Sequence, residues 1–362
     1  MASSSASTPN ATLNRSADEY LALYTQDRYN APLALYTGAA LHAEGRLEEA
    51  LAVWTFGDDA NPVLRTIRLH PQADEAMRTH SALADQCIRA HFTGMHREGV
   101  EAAEAQSGEK LPRLHRAVWT HYHQGRFEFG APLHRPQIFY LPDLPATPTV
   151  APETVPGFDH LLDAFAAICA EYEAAMTQGA QGTPYVHAGM DEEKWTKLRG
   201  SHDWEAIYLY LNAEETADTA RFPKTIEALS SIRLVEKRGK PMEAFFSVLK
   251  PGAHIPPHFG LTNSRMTVHM PLIVPSDCAI RVGESTHQWQ PGEAFLFDDS
   301  FEHEAWNKSE ETRVVLIFEV PHPDLSDLEQ ETITQIYERF DAWVASRFSI
   351  LGVPADPPRA GT

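Results

Sequence analysis

Apolar and polar residues recur at two different periods along this chain, helical through its first half and two-residue from Asp203 onward. Residues 17–55 carry helical spacing, and the stretch from Leu33 to Trp54 predicts two helices broken at Gly45, with Ala40, Leu41, Ala50 and Leu51 on the facing stripes. Further helix is expected at 73–105 and 111–124. Residues 141–157 hold five prolines and almost no periodicity, as a linker or an extended wrap over a surface would. Residues 159–178 then predict an amphipathic helix, with Asp159 as N-cap and Gly179 just past its end. After Asp203 come short β-rich runs at 204–211, 243–249, 265–274, 278–283, 293–298 and 312–320. Turn signals at Pro251-Gly252, Gly260, Pro275-Ser276-Asp277, Gly283 and Pro291-Gly292 separate many of them. Such a series predicts a sandwich or barrel of the jelly-roll type, after which 324–347 return to helix.

These elements divide the chain into a tail at 1–16, expected to be disordered, an α-helical region at 17–140, a proline-rich linker at 141–158, an α+β jelly-roll domain with a flanking helix at 159–330, and a C-terminal helix and tail at 331–362. The pattern around Gly45 resembles a single tetratricopeptide unit, a repeat that needs neighbours to bury its faces. The helical region is thus a candidate for contact with a protein partner, or a buttress for the barrel.

Charge narrows the function classes. There are 50 acidic against 30 basic residues, a formal charge of −20, and that field repels both nucleic-acid backbone and anionic membrane. Cys87, Cys169 and Cys278 lie far apart with no CxxC pair, so neither a disulfide framework nor a zinc ribbon is indicated. Residues 1–16 lack the apolar core of a secretory signal, and no apolar run approaches the ~20 residues that cross a bilayer. A cytoplasmic location is the expectation.

The β-region concentrates groups that bind metal or carboxylate. His258 is expected in a turn within PPHFG, where Pro256 and Pro257 exclude a helix and so exclude His254 and His258 as an i,i+4 metal pair. His303 follows 45 positions later, within FDDSFEHEAW, a detour that in a jelly roll returns the chain to the same mouth. Alternation puts Arg265, Thr267 and His269 on one face of their strand and Met266, Val268 and Met270 on the other, so the polar row is either interior or wet. Arg313 shares a face with Val315, Ile317 and Glu319; it either grips a carboxylate inside the barrel or ends a strand at the surface.

At SVLKPGAHIPPHFGLTNSRMTVHMPLIVP (247–275) and IRVGESTHQWQPGEAFLFDDSFEHEAWNKSEETRVVLIFEVPHPDLS (280–326), the sequence resembles the aspartyl/asparaginyl β-hydroxylase family of iron(II)/2-oxoglutarate dioxygenases. The resemblance covers about residues 190–330. It implies a double-stranded β-helix, iron held by His258 and His303, and 2-oxoglutarate bound by Arg313 and Ser247 at its far carboxylate, with His269 near the other end. Related oxygenases carry an HxD or HxE ligand where this family, and this chain, has Gly260. Asp298 and Asp299 are the nearest spare carboxylates, and Asp299 is assigned to hydrogen-bond a water in that place. Arg265, Thr267 and Asn263 are the expected substrate-pocket residues. Thr267 stands where the members acting on aspartyl side chains resemble a second arginine. The implied reaction consumes 2-oxoglutarate and O2, hydroxylates an unactivated C–H bond of an Asp/Asn-like peptide or protein side chain or of a small molecule, and releases succinate and CO2. Two alternatives stay open: a halogenase, since Gly260 vacates a ligand position, and a jelly-roll scaffold that binds metal or ligand without turnover.

Overall fold

The structure is a computed structural model that describes residues 13–123, 126–187 and 192–354. The tail expected at 1–16 falls outside the described residues up to position 12, as do the last eight residues. The chain divides into two units, residues 1–106 with 335–362, and residues 107–334.

The first unit is helical. Helix α1 (Ala17–Tyr24) starts on a reciprocal cap, in which Glu19 N–H donates to Ser16 Oγ and Ser16 N–H to the Glu19 carboxylate. Helices α2 (Ala31–Ala43) and α3 (Leu47–Ala60) pack on each other, separated by Gly45 at φ +80°, as the periodicity predicts. Gly38 is required there for packing, because a Cβ on it would lie 2.2 Å from the indole nitrogen of buried Trp54. Helix α4 (Glu75–Ser107) is the longest of the described helices; in the second unit the expected helix at 111–124, whose last position lies outside the described residues, shrinks to one turn, Pro112–His115. Trp119 instead joins a two-residue ladder with Phe139, where both rings are buried.

The second unit holds the barrel. Its strands are β1 (Thr149–Val150), β2 (Thr183–Pro184), β3 (Trp204–Leu211), β4 (Glu243–Leu249), β5 (His254–His258), β6 (Arg265–Ile273), β7 (Cys278–Val282), β8 (Ser285–His287), β9 (Phe295–Phe297), β10 (His303–Asn307) and β11 (Arg313–Pro321). One sheet runs β1-β9-β6-β11-β4-β3-β2, with Glu214–Glu215 paired onto β3; the other runs β5-β10-β7-β8, and every pairing is antiparallel. These two facing sheets are the double-stranded β-helix. The proline-rich segment adds β1 to the edge of the large sheet.

Helices α5 (Phe158–Asp163), α6 (Phe165–Thr177) and α7 (Pro223–Leu229) lie on the outside of the large sheet. The single amphipathic helix expected at 159–178 is two, divided at Ala164, and Gly157 at φ +85° precedes the first in place of an Asp159 cap. Their apolar faces cover Met266, Val268, Met270, Leu316, Phe318 and Val320. Each of these fully buried side chains contributes about 1.5–3 kcal/mol. This cover decides the orientation left open by alternation: with the Met-Val-Met face under helices, the row Arg265, Thr267, His269 points into the barrel. The C-terminal helix α8 runs Asp327–Ile350.

Candidate active site

Two imidazoles meet where β5 pairs with β10. The ladder runs His254–Trp306, Ile255–Ala305, then His258–His303, so three residue steps on β5 oppose two on β10. That bulge has a cause: Pro256 and Pro257 carry no N–H and cannot complete the ladder. His258 therefore sits at the end of a strand and not in the expected turn, directly across from His303. The ring centroids lie 4.0 Å apart.

Both rings are held in one tautomer. His258 Nδ1 lies 2.8 Å from the carbonyl of Pro256 and His303 Nδ1 2.9 Å from that of Phe301. A carbonyl can only accept, so Nδ1 carries the proton on each ring and Nε2 keeps its lone pair. Burial holds the His258 imidazole well below its ordinary value and lowers His303 to about 4. Both are neutral at pH 7, the form a metal requires.

The DDSFEH loop is braced from beneath. Asp298 accepts from Ser300 N–H at 2.9 Å and Ser300 Oγ at 2.5 Å. His134 Nε2 stands 3.1 Å from the other Asp298 oxygen, off the line of a hydrogen bond, with both side chains 1% exposed. Asp299 faces the other way. Gly260 N–H donates to its backbone carbonyl at 2.7 Å, and the carboxylate lies over the bare Cα of Gly260. Asp299 Oδ1 is buried without a hydrogen-bond partner, and burial raises the carboxyl to about 6. Among the described residues no group of three His, Cys, Asp or Glu side chains is arranged to hold a metal.

Arg313 lies deeper, 1% exposed. Its Nη1 donates to both the hydroxyl and the carbonyl of Ser247, each at 3.2 Å, and Trp204 Nε1 donates to the same hydroxyl at 3.0 Å. The guanidinium also sits over Trp289, 5.0 Å from the ring centroid. No carboxylate pairs with it among the described residues, its Nε is unsatisfied, and burial lowers it to about 10. His269 stands between the two centres. Both Arg313 and His303 act on its charge, its Nδ1 is unsatisfied, and burial holds it well below its ordinary value. His258, His303, His269, Arg313 and Ser247 are thus gathered in one barrel interior, walled by Trp195, Trp204, Trp289 and Phe297.

Asn263 requires a correction. Its amide is consumed by the backbone of Leu141, accepting from the N–H and donating to the carbonyl at 2.9 Å each. It ties that segment to the loop before β6 and, at 1% exposure, serves the fold there. Arg265 and Thr267 do face the interior, where Arg265 Nη1 meets Glu319 at 2.9 Å. The bracing pair His134–Asp298 and the Trp289 indole under Arg313 carried no periodic signal. Glu319 did, as the fourth member of the Arg313 row.

Residues 163–323 match the family model described as Aspartyl/Asparaginyl beta-hydroxylase. Aspartate beta-hydroxylase domain-containing protein 2 of Xenopus tropicalis is 27% identical over 296 residues, covering 77% of each chain. Aspartyl/asparaginyl beta-hydroxylase of Mus musculus is 32% identical over 143 residues, 38% of this chain and 19% of its own. Ornithine lipid ester-linked acyl 2-hydroxylase of Rhizobium tropici is 46% identical over 83 residues, 22% of this chain and 30% of its own. Among solved structures, the Schizosaccharomyces pombe Cnp3 cupin domain aligns with 34% of this chain and 67% of its own at 9% identity and a TM-score of 0.23.

Proposed function

We propose that the chain, whose residues 163–323 match the aspartyl/asparaginyl β-hydroxylase family model, is an iron(II)- and 2-oxoglutarate-dependent hydroxylase. The observation that carries this reading is Arg313, a buried guanidinium with no carboxylate partner among the described residues, in the same interior as two neutral imidazoles 4.0 Å apart. An unpaired buried charge costs several kcal/mol unless a ligand compensates it. A dicarboxylic acid with one end on the guanidinium and the other beside the imidazoles answers both centres at once.

In this reading Nε2 of His258 and of His303 would hold the iron. Arg313 and Ser247 receive the far carboxylate of 2-oxoglutarate, with Trp204 fixing the Ser247 hydroxyl and His269 near the other end. When bound, iron and 2-oxoglutarate supply the oxidising power: one oxygen atom of O2 ends in succinate and the other in the product hydroxyl, with loss of CO2. The carbonyls of Pro256 and Phe301 keep each Nδ1 proton in place and so aim the rings. The unsatisfied Asp299 oxygen would accept from a water beside Gly260. That negative charge also weighs against halogenation, which needs an anion in the same place. The aromatic walls keep bulk water from the reacting carbon.

The relatives' names cover aspartyl and asparaginyl residues and a lipid acyl chain, so kinship leaves the substrate open. Succinate formation from 2-oxoglutarate, measured with iron(II) and O2, tests the reading. Slow succinate release in the wild type and its loss in His303→Ala are expected; equal release by both proteins would contradict it.

A further inference from the structure

The outer end of the interior row is acidic. Arg265, Thr267 and His269 on β6 line up with Glu319 and Ile317 on β11, with Thr267 opposite Glu319 and His269 opposite Ile317. Arg265, the cation expected to receive a substrate carboxylate, is already engaged by Glu319 at 2.9 Å. Glu243 stands on β4 one step beyond the Phe318–Ala244 pair, beside Glu319, and makes no ion pair among the described residues. The two glutamates and Asp299 thus face one guanidinium. Tyr208 on β3 and Tyr185 just after β2 form the remaining wall with Phe245, at ring separations of 5.3 and 5.4 Å. The side chains of Arg265 and Glu319 keep 17% and 12% exposure, so water and ligands reach this end.

A second observation points to a ligand here. Thr267 is 8% exposed; its hydroxyl is turned toward the Asp299 carboxylate, and among the described residues it completes no hydrogen bond of ordinary geometry. Burial, then mutual repulsion, pushes Glu243 up to about 7, and burial with Asp299 nearby pushes Glu319 up to about 7, despite Arg265. These carboxylates have more negative charge than the cation beside them can balance.

We propose that this end of the barrel receives the substrate as a cation, an ammonium or guanidinium seated between Glu319 and Glu243 and against the Tyr185 and Tyr208 rings, with hydroxylation at a carbon deeper in the row. A carboxylate substrate would meet three acidic side chains around an arginine that is already paired, whereas a cation supplies the missing counter-charge and can lie on aromatic faces. The proposal rests on the hydroxylase reading for the location of the reacting carbon, but the selectivity itself does not.

Calorimetry on the full chain, with manganese(II) and 2-oxoglutarate, compares Nα-acetyl-L-lysine amide and free L-lysine with the corresponding aspartate compounds. We expect a lysine probe to bind at least tenfold more tightly than its aspartate counterpart, from roughly one charge-assisted contact. The capped and free forms distinguish a peptide residue from a free amino acid. Glu319→Gln, which releases Arg265, and Glu243→Gln are each expected to cut the lysine preference roughly tenfold. Lysine affinity should rise from pH 6 to pH 8 as Glu243 and Glu319 ionise. Tighter or equal binding of aspartate, binding of neither probe, or an unchanged ratio in both variants would overturn the proposal. Should a variant not fold, the wild-type comparison still decides. Lysine selectivity without any succinate formation would leave the proposal standing and end the hydroxylase reading.

Discussion

The Asp299 carboxylate occupies the ground that any side chain at position 260 would need: a Cβ on Gly260 would lie 2.1 Å from Asp299 Oδ1 and 2.2 Å from Cγ. Glycine and aspartate at these two positions are therefore one device. The chain forgoes a carboxylate two residues after His258 and brings one in from the loop that precedes His303.

Gly260→Ala should displace the Asp299 carboxylate and so behave like Asp299→Ala. Each single variant is expected to weaken metal retention about tenfold, typical for loss of a group that supports a metal site. The double variant should be no worse than either single one, because both remove the same contact. Metal content after dialysis checks this; additive losses would mean that the two positions act independently.

Arg313→Ala should raise the dissociation constant for 2-oxoglutarate by roughly ten- to a hundredfold, the loss of about 1.5–3 kcal/mol from a charge-assisted pair. Arg313→Lys keeps the charge but loses the planar fork, and should recover only part of the affinity. Calorimetry with 2-oxoglutarate reads both.

Glu243 gives a pH dependence with a definite sign. Its carboxyl titrates near 7 when folded against an ordinary value of 4.5. Between those values the folded chain holds a proton that the unfolded chain releases, so stability falls as pH rises from about 4.5 to 7 and is level above. Glu243→Gln removes this loss. Its melting temperature should match the wild type near pH 4.5 and exceed it at pH 8, as thermal melts at the two pH values will show.

Asn263→Ala should destabilise the barrel by roughly 2 kcal/mol or more, because the buried N–H and carbonyl of Leu141 both lose their partner. Denaturant unfolding measures it. A loss confined to substrate affinity would restore Asn263 to the pocket.

The long strands of the large sheet were legible as short β-rich runs between turn signals, with alternation clearest on β6, where Met266, Val268 and Met270 lie under the helices; its two-residue strands at 149–150 and 183–184 were not. Strand β5 was not, because its two prolines read as a turn and its pairing depends on a partner 45 positions away. The facing imidazoles and the Arg313 row could be named from spacing and from resemblance to the family. Whether Arg265 was free to take a carboxylate could not, since its pairing with Glu319 is a contact between strands far apart in the chain.

In the proposed function, two imidazoles and one guanidinium serve a single reaction centre. A crystal structure of the protein grown with manganese(II) and 2-oxoglutarate tests it most directly. We expect Nε2 of His258 and of His303 both about 2.0–2.3 Å from one metal ion, with the far carboxylate of 2-oxoglutarate on Arg313 and Ser247. A metal bound elsewhere, or 2-oxoglutarate seated away from Arg313, would contradict it.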